Sequence, residues 1–351
     1  MTSGRVTIAD VARRAGVSTA AVSKVVRGAY GVSAEMQTKV TQAIDELGYR
    51  PHAAARALRG RTYTLGVMLS DTRNPFFPDI IEGVTDRLGD TEYQVLLGPG
   101  GIEPKTQARM TDAMIDRSMD GLILISPVMT DAELTAIATA TPVVVVGRHG
   151  GAAAYDAVVD DDVMGARLVV DHLVGLGHTR IAHITHLERA RAQGLPHTVR
   201  AEGYRQAMRA HGLADDVLAT SFTEVGGFEG ARELLARGDR PTAIFAGADI
   251  AALGVLRAAD EAGLSVPEDL SVAGYDNIGI ASLKRISLTS VDQDGHVIGA
   301  TAARLLVERI EGRTRSVTSS VSPTLIVRGT TGPPRPETLT ASPLRPGPPR
   351  L

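Results

Sequence analysis

Hydrophobic residues in the first fifty positions recur at the three- and four-residue spacings of helices that bury one face. One such stripe consists of Met36, Val40, Ile44 and Leu47. This spacing predicts an amphipathic helix that follows the capping residue Ser33 and ends at Gly48.

Two shorter helices are predicted upstream of this stripe. Thr7 and Asp10 have the spacing of a capping box, and the helix that they open ends near Gly16. Ser18 can cap a second helix after a turn of about three residues, and Val17 can pack on that helix as a hydrophobic staple. Two short helices joined by a tight turn that contains glycine form a helix-turn-helix.

The second helix, within GVSTAAVSKVV, has an apolar side and a thin side. The apolar side consists of Val22, Val25 and Val26, and the thin side consists of Thr19, Ala20, Ser23 and Lys24. A helix that enters the major groove of DNA needs an apolar back and small front residues, and Lys24 can then reach guanine O6 and N7. The alternative is a small helical bundle with an ordinary solvated face.

Apolar runs and helical stretches alternate from about Leu65 onward. The runs are TLGVML, YQVLL, GLILI, PVVVV, RIAHI, TAIFA and LSVAGY, and the stretches between them include 106–117 and 248–262. This alternation predicts parallel sheets covered by helices on both faces. Roughly 270 residues is large for one such sheet, so two lobes are expected. The predicted fold class is α/β, with an N-terminal three-helix head.

Charge is distributed unevenly between the head and the rest of the chain. Residues 1–62 contain ten basic and four acidic side chains, so they carry +6, and residues 63–351 carry −9 because the whole chain carries −3. A basic head indicates nucleic acid binding, since Lys and Arg that neutralise phosphates release counterions. A solvated basic surface without a partner is the alternative.

Composition indicates the cellular compartment in which the protein resides. The chain has 351 residues, 43% of them hydrophobic, and no cysteine, which fits a reducing compartment. The N-terminus lacks the apolar block of a secretory signal, and no apolar stretch approaches the roughly 20 residues of a membrane span. We expect a cytoplasmic protein.

Residues 51–62 form a short basic segment that can become helical. Pro51 can start a helix, and Gly60 ends it within about two turns. Leu58 is an isolated apolar residue beside Arg56 and Arg59, which suits a wedge in the minor groove of DNA. A flexible basic linker is the alternative.

Six segments, in this order along the chain, resemble the LacI/GalR family of bacterial transcription regulators over residues 6–330. They are VTIADVARRAGVSTAAVSKVVRG, VSAEMQTKVTQAIDELGYRPHAAARAL, NPFF, DGLILISP, GHTRIAHI and SVAGYDN. The resemblance implies a helix-turn-helix domain over 1–50, a hinge helix and linker over 51–62, and a two-lobed, periplasmic-binding-protein-like effector and dimerisation domain over 63–331. It also implies lobe crossings near 160, 291 and 322, and a ligand-responsive repressor of a sugar-utilisation operon.

The same resemblance implies which residues contact DNA. Thr19, Ala20 and Lys24 fall at base-reading positions, and Leu58 falls where a hinge helix inserts at the centre of a palindromic operator. The full set of candidates is Thr7, Ser18, Thr19, Ala20, Ser23, Lys24, Arg27, His52, Arg56, Leu58 and Arg59.

An effector site in the cleft between the lobes is implied as well. Its candidate residues are Phe76, Asp161, Arg200, Ala248, Asp249 and Asp276. Phe76 can stack on a sugar face, Asp276 can accept hydroxyl hydrogen bonds, and Arg200 can donate to ligand oxygens. Ala248 stands where Asn is common, which favours a ligand with one hydroxyl fewer or a larger group there. A structural ion pair between Arg200 and Asp276 is the alternative.

Signals of catalysis and metal binding are weak. GPGGIE at 98–103 lacks the third glycine of the dinucleotide fingerprint, and the chain has no P-loop or G-x-S-x-G motif. A metal site among His178, His183 and His186, or a Mg²⁺ site in VDDDVMG, is an alternative, but a buried strand and an acidic helix N-terminus explain these residues as well. We therefore predict no enzyme activity, no cofactor and no metal.

Two further protein classes share the predicted body fold. A periplasmic solute-binding protein needs a signal segment and has no use for a basic head, and an enzyme on the same two lobes would need a catalytic motif. From Gly332 the chain holds seven of its 18 prolines and has no leucine heptads. This composition predicts a disordered tail over 332–351 and a homodimer rather than a tetramer.

Overall fold

The computed structural model describes residues 6–26, 30–49, 61–150, 153–187 and 193–335. The chain divides into two compact units, Met1–Thr62 and Tyr63–Leu351. Over the described ranges, no helix has both the length and the apolar character that crossing a membrane requires.

The first unit contains α1 (Ile8–Ala15), α2 (Thr19–Val26) and α3 (Ala34–Leu47). The Thr7 hydroxyl accepts a hydrogen bond from the Asp10 N–H at 3.4 Å, and the Asp10 carboxylate accepts one from the Thr7 N–H at 2.9 Å. These two bonds complete a capping box at the start of α1. Gly16, with φ of 66°, ends α1 in the left-handed conformation that glycine adopts most readily.

The apolar faces of these helices meet in one small core. Its buried residues are Val11, Ala12, Val22, Val40 and Ala43. Met36, Ile44 and Leu47 of the predicted α3 stripe pack against this cluster and are partly buried. The core therefore fixes the angle between α2 and its two neighbours.

The second unit begins with a lobe of alternating strands and helices. In chain order they are β1 (Thr64–Leu69), α4 (Phe76–Leu88), β2 (Gln94–Pro99), α5 (Pro104–Asp116), β3 (Gly121–Ile125), α6 (Asp131–Ala140), β4 (Val143–Val146) and β5 (Asp156–Asp160). The strands are parallel in the order β2, β1, β3, β4, β5. The continuous apolar runs of β1 and β3 suit strands that helices cover on both faces.

A second lobe repeats this alternation. In chain order its elements are α7 (Asp162–Gly175), β6 (Ile181–His186), α8 (Pro196–Ala210), β7 (Asp216–Thr220), α9 (Glu224–Leu235), β8 (Ala243–Ala246), α10 (Asp249–Glu261), β9 (Ser271–Tyr275), a 3₁₀ turn (Gly279–Ser282) and β10 (Thr289–Asp292). Its strands are parallel in the order β7, β6, β8, β9, β10.

The chain then returns to the first lobe and leaves it again. α11 (Gly295–Ile310) packs on the first sheet, β11 (Thr318–Val321) pairs parallel with β5, and β12 (Thr324–Ile326) pairs antiparallel with β10. Each sheet thus has six described strands, and the chain passes between the lobes at residues 161, 293–294 and 322–323. The predicted α/β class with a three-helix head and a two-lobed body is confirmed.

Two helices of the first lobe, α4 and α11, approach closely at glycines. A Cβ atom on Gly83 would overlap the backbone carbonyl of His296, and one on Gly299 would overlap the backbone carbonyl of Ile80. Any side chain at these positions would push the helices apart. Glycine therefore allows α4 and α11 to pack closely against each other. α9 and α10 meet through glycines in the same way.

The segment after β12 lies against the second lobe. A His178 ring N–H donates to the Gly332 carbonyl at 2.8 Å, and the Ser271 hydroxyl accepts from the Gly332 N–H at 3.0 Å. Arg335 forms an ion pair with Asp269. The prediction of disorder is therefore wrong for residues 332–335. Polar side chains of the second lobe hydrogen-bond to the Gly332 backbone, and Asp269 pairs with the Arg335 side chain. Residues 336–351 lie outside the described residues.

Candidate functional site

The front of α2 is small and exposed, and its back is apolar. Thr19, Ala20 and Lys24 are exposed, whereas Val22 is fully buried in the head core. Short side chains on the front leave room for the helix to approach the edges of DNA bases, and Lys24 lies one turn further along the same front.

Ser23 does not belong to this front. It is only 8% exposed, and it lies at the margin of the apolar side, three residues before the half-buried Val26. Its short side chain is covered there, so the prediction that Ser23 faces outward with Lys24 is wrong.

Two other candidate DNA contacts cap helices. The Ser18 hydroxyl accepts from the Ala21 N–H at 3.1 Å at the start of α2, and Thr7 caps α1. Helix N-termini attract phosphate through their free backbone N–H groups and their dipole. The remaining candidates, which lie outside the described residues, are Arg27, His52, Arg56, Leu58 and Arg59.

A cavity of about 440 Å³ lies between the two lobes of the second unit. Residues at the ends of β1, β3, β4 and β5 line one side of it, and residues at the ends of β6 to β10 line the other. In parallel α/β lobes the carboxyl ends of the strands are where ligands bind. The volume lies within the range of small-molecule sites.

Asp276, just after β9, is one of the buried polar groups on the cavity wall, with 6% of its surface exposed. Its carboxylate accepts from Gln293 Nε2 at 2.7 Å and from Asn74 Nδ2 at 3.3 Å. Burial raises the pKa of Asp276 well above its usual range, although the nearby Arg200 opposes this shift.

Asp160, the last residue of β5, lines the cavity from the opposite lobe. It accepts a hydrogen bond of 2.5 Å from the Tyr275 hydroxyl. Burial, and then the negative charge of Asp162, raise the pKa of Asp160 to about 6. This carboxyl group therefore changes its charge close to neutral pH.

Arg200 of α8 lines the cavity but is held by several protein groups. Its Nε and Nη2 donate to Asp162 Oδ1 at 2.8 and 2.7 Å, and its Nη1 donates to the Gly247 carbonyl. The guanidinium also lies 3.4 Å from the centre of the Tyr275 ring. A guanidinium has five N–H groups, so two remain that could serve a ligand. The close ion-pair partner of Arg200 is Asp162. The alternative interpretation, a structural ion pair, named Asp276 as the partner instead.

Phe76 and Ala248 also line the cavity, whereas Asp161 does not. The Asp161 carboxylate is exposed and accepts from the Met164 N–H at 2.9 Å, so it caps α7. The prediction that Asp161 faces the cleft is wrong because β5 ends one residue earlier, and Asp160 occupies that position instead.

Asp249 likewise lies outside the cavity lining. It is fully buried, and its carboxylate accepts from the Ser290 hydroxyl at 2.6 Å and from the Ile278 N–H at 2.9 Å. Burial raises the pKa of Asp249 to about 7. Its partners join α10 to β10 and to the loop after β9, so the prediction that it contacts the ligand is wrong and its role is structural.

One group of side chains has the composition of a metal site. His149, Asp160 and Asp162 each bring a ligand atom within 4.8 Å of the others. However, His149 Nε2 lies 2.6 Å from Asp162 Oδ2, and the Arg200 guanidinium binds the other Asp162 oxygen. Burial lowers the pKa of His149, but the hydrogen bond to Asp162 and the negative charges of Asp162 and Asp160 together outweigh it and raise the pKa overall. The Asp162 carboxylate is therefore already paired with Arg200 and His149, while Asp160 accepts from the Tyr275 hydroxyl.

The histidines that the metal alternative names have separate partners. His178 bonds to Thr242, Ser271 and the Gly332 carbonyl. His183 Nδ1 donates to the Phe245 carbonyl at 2.9 Å, and burial lowers the pKa of His183 to about 3.

The polar cavity residues that the sequence prediction missed include Asn74, Asp160 and Gln293. Asn74 begins NPFF and Asp160 lies in VDDDVMG, so nearby motifs could have indicated both. Gln293 follows β10, a short strand that no apolar run marks, and its signal was too weak to find.

The comparisons with known proteins agree with this architecture. The family described as "Bacterial regulatory proteins, lacI family" matches residues 7–52, and a "Periplasmic binding protein-like domain" matches residues 170–331. The lac repressor dimer bound to operator and the anti-inducer ONPF superimposes with a TM-score of 0.80 at 27% identity, over 94% of this chain and 100% of that chain.

Two curated relatives are similar over nearly their full length. The ribose operon repressor of Escherichia coli K12 is 34% identical over 330 residues, which cover 92% of this chain and 99% of the repressor. The HTH-type transcriptional repressor PurR of Erwinia tasmaniensis is 36% identical over 331 residues, or 92% and 96% of the two chains. Both are transcriptional repressors rather than enzymes. Identity of this extent shows that the protein belongs to the lacI family of bacterial regulatory proteins.

Proposed function

We propose that the protein represses a carbohydrate-utilisation operon. It binds a palindromic operator as a homodimer in the cytoplasm, and it leaves the operator when a small sugar occupies the cavity between its lobes. The head performs DNA recognition, and the two-lobed body responds to the ligand.

The observation that carries this proposal is a pair of buried carboxylates, Asp160 and Asp276, on opposite walls of one cavity. They are 3% and 6% exposed. Carboxylate oxygens form strong hydrogen bonds with hydroxyl donors, which a sugar supplies in numbers. Phe76 adds an aromatic ring on which the apolar face of a sugar can stack.

The relatives support a sugar effector and a dimer. The Escherichia coli relative is named for the ribose operon, and the solved lac repressor is a dimer bound to operator. Two identical heads match a DNA site with two-fold symmetry. By the same likeness, the centre of the operator is a CpG step that the hinge opens.

Ligand binding and operator release are linked by the arrangement of the lobes. A ligand changes DNA affinity only by as much as it prefers one arrangement over the other, and a coupling of roughly 1 to 3 kcal/mol is typical.

The substitution Asp276→Asn tests the effector site, because it replaces one carboxyl oxygen by an amide NH₂ with little change in size. An operator obtained by binding-site selection and a panel of common mono- and disaccharides would be used, with operator release followed by fluorescence anisotropy. We expect the variant to bind operator like the wild type and to lose the sugar response. Asp161→Asn, an exposed capping carboxylate outside the cavity, serves as the control that keeps the response. An Asp276→Asn protein that responds at the wild-type sugar concentration would contradict the proposal.

A further inference from the structure

The cavity has an inner part and a mouth of different chemistry. The inner part holds the polar side chains of Asp160, Asp276 and Gln293, all at most 6% exposed. Ile102 of the first lobe and Leu187 of the second also line the cavity, yet they are 56% and 42% exposed. Exposed residues that line a cavity lie at its opening, so each lobe presents an apolar side chain at the mouth, beside the exposed polar residues Arg73, Glu103 and Ser221.

Three ring side chains stand together on the second-lobe side of this mouth. The rings of His186 and Phe222 are 5.3 Å apart at 83°, and those of His197 and Phe222 are 6.2 Å apart at 80°. A Cβ atom on Gly247 would lie 2.6 Å from the tip of the Phe222 ring, so the absence of a side chain there lets this ring lie against the strand end. The arrangement offers ring surface to a flat partner.

The two arginines of the lining are paired within the protein. Arg73 pairs with Asp71 at 3.3 Å, and Arg200 pairs with Asp162 at 2.7 Å. His186 Nδ1 donates to the Leu187 carbonyl at 2.8 Å. Among the described lining residues, both arginines are already paired with carboxylates and Glu103 adds a further acidic side chain, so a phosphate or carboxylate would find little unpaired positive charge. An uncharged ligand fits best.

The two hydroxyls beside Phe222 that a nucleobase could use are already engaged. The hydroxyls of Ser221 and Thr223 bond to each other at 2.8 Å, and Thr223 accepts from the Gly226 N–H at 3.0 Å. The N–H and C=O edges of a base would lose water without gaining equivalent partners, which costs affinity. An aromatic ring without such edges loses nothing of this kind.

We propose that the effector is an uncharged aryl glycoside, with its sugar in the inner part of the cavity and a flat, mainly apolar ring at the mouth beside Phe222, Ile102 and Leu187. This inference rests on the proposed function and specifies the ligand class of the same site.

Calorimetric titration of the full chain with matched methyl and phenyl β-glycosides of common hexoses and pentoses tests this inference. For the sugar that binds, we expect the phenyl glycoside to bind about tenfold tighter than the methyl glycoside, because only the phenyl ring contacts the mouth. Phe222→Ala should remove most of this difference and leave the methyl glycoside nearly unaffected. Val225→Ala is the matched control, since Val225 is an exposed apolar residue at the start of α9, outside the cavity lining.

Each contrary result has a distinct meaning. Equal affinities for the methyl and phenyl glycosides would overturn the aryl assignment and leave the sugar response standing. Tighter binding of adenosine or cellobiose than of any phenyl glycoside would replace the aryl ring by a base or a second sugar. An equal loss in Val225→Ala would show that the effect of Phe222 does not arise in the cavity. If no glycoside binds, the sugar effector itself is wrong, and the aryl assignment is wrong with it.

Discussion

The side-chain amide of Asn74, in the first lobe, donates a hydrogen bond of 3.3 Å to the carboxylate of Asp276, in the second lobe. The same Asn74 side chain accepts from the Phe76 N–H at 3.0 Å, at the start of α4. Asn74 therefore joins the two lobes at the cavity wall and positions the ring of Phe76. A carboxylate has about four acceptor sites, so Asp276 can keep this bond while it accepts hydrogen bonds from a ligand.

Asn74→Ala should lower effector affinity about 2- to 12-fold, since an intramolecular hydrogen bond is worth about 0.5 to 1.5 kcal/mol and its loss leaves the lobes less well held for the ligand. Calorimetric titration with the releasing sugar measures this. Thr72→Ala, an exposed residue of the same loop outside the cavity lining, should bind like the wild type. Unchanged affinity in Asn74→Ala would mean that the interlobe bond is absent when ligand binds.

Lys24→Ala should weaken operator binding by about 1 to 3 kcal/mol and relax base preference at one symmetric pair of positions, as expected for a contact to a base edge. Lys39→Ala is the control, because Lys39 lies on α3 and pairs with Glu35 at 2.8 Å. Binding-site selection on both variants distinguishes base reading from general charge. Identical preferences for Lys24→Ala and wild type would remove Lys24 from the base-reading positions.

Effector binding should depend on pH through Asp160, whose pKa burial raises to about 6. Ligand hydroxyls that donate to this residue favour its ionised form, so affinity should be full above about pH 7 and should fall as the pH drops through 6. Asp160→Asn should flatten this dependence. Titrations across this pH range test the assignment, and an equally steep profile in the variant would point to another titrating group.

His183 should make the folded state sensitive to acid. Burial lowers its pKa to about 3, while the unfolded chain has a histidine pKa of about 6.5. Between these values the unfolded chain binds a proton that the folded chain does not, so His183 removes about 1.4 kcal/mol of stability for each pH unit below 6.5.

His183→Phe should remove this contribution, because a phenyl ring can occupy the space between the rings of Tyr204 and Phe245. Urea unfolding followed by circular dichroism, at neutral pH and about two units lower, compares the two proteins. Parallel losses of stability in the variant and the wild type would indicate that another group is responsible.

Gly83→Ala should destabilise the protein by about 1 to 3 kcal/mol, as overpacking does, because the new methyl group meets the His296 carbonyl. Gly175→Ala, in α7, should be neutral or stabilising by about 0.5 to 1 kcal/mol, since nothing lies within 4 Å of its Cβ position. Thermal unfolding of both variants measures the contrast. Equal stability would show that α4 and α11 can separate at little cost.

Most of the central strands were predictable from the sequence, whereas the edge strands β7, β11 and β12 were not. β1 and β3 lie inside a sheet, where burial of both faces demands a continuous apolar run. β7 and β11, with the sequences DVLAT and TSSV, lie at sheet edges and are partly exposed. Their formation depends on a neighbouring strand, and no local pattern marks them.

The functional groups divide in a similar way. Asp276 and Phe76 lie in motifs that point to the cavity, and both line it. The prediction named Asp161 instead of Asp160. It was one residue off because the pairing of β5 with β4 and β11 decides where the strand ends. Arg200 binds Asp162, which is 38 residues away in the chain, and only the packing of α7 against α8 brings them together. Ser23 was misplaced because the margin of α2 on which it lies is buried.

The connections between the lobes are short, with one residue between β5 and α7, two between β10 and α11, and two between β11 and β12. A protease that cuts one of them leaves two covalent links, so the nicked body should stay in one piece under native conditions and separate into fragments only in denaturant. Links this short also leave few backbone torsions to rotate. The lobes can tilt by modest angles about these three connections, but they cannot slide along each other or swing fully open. Any signal from the cavity is therefore confined to that single kind of motion.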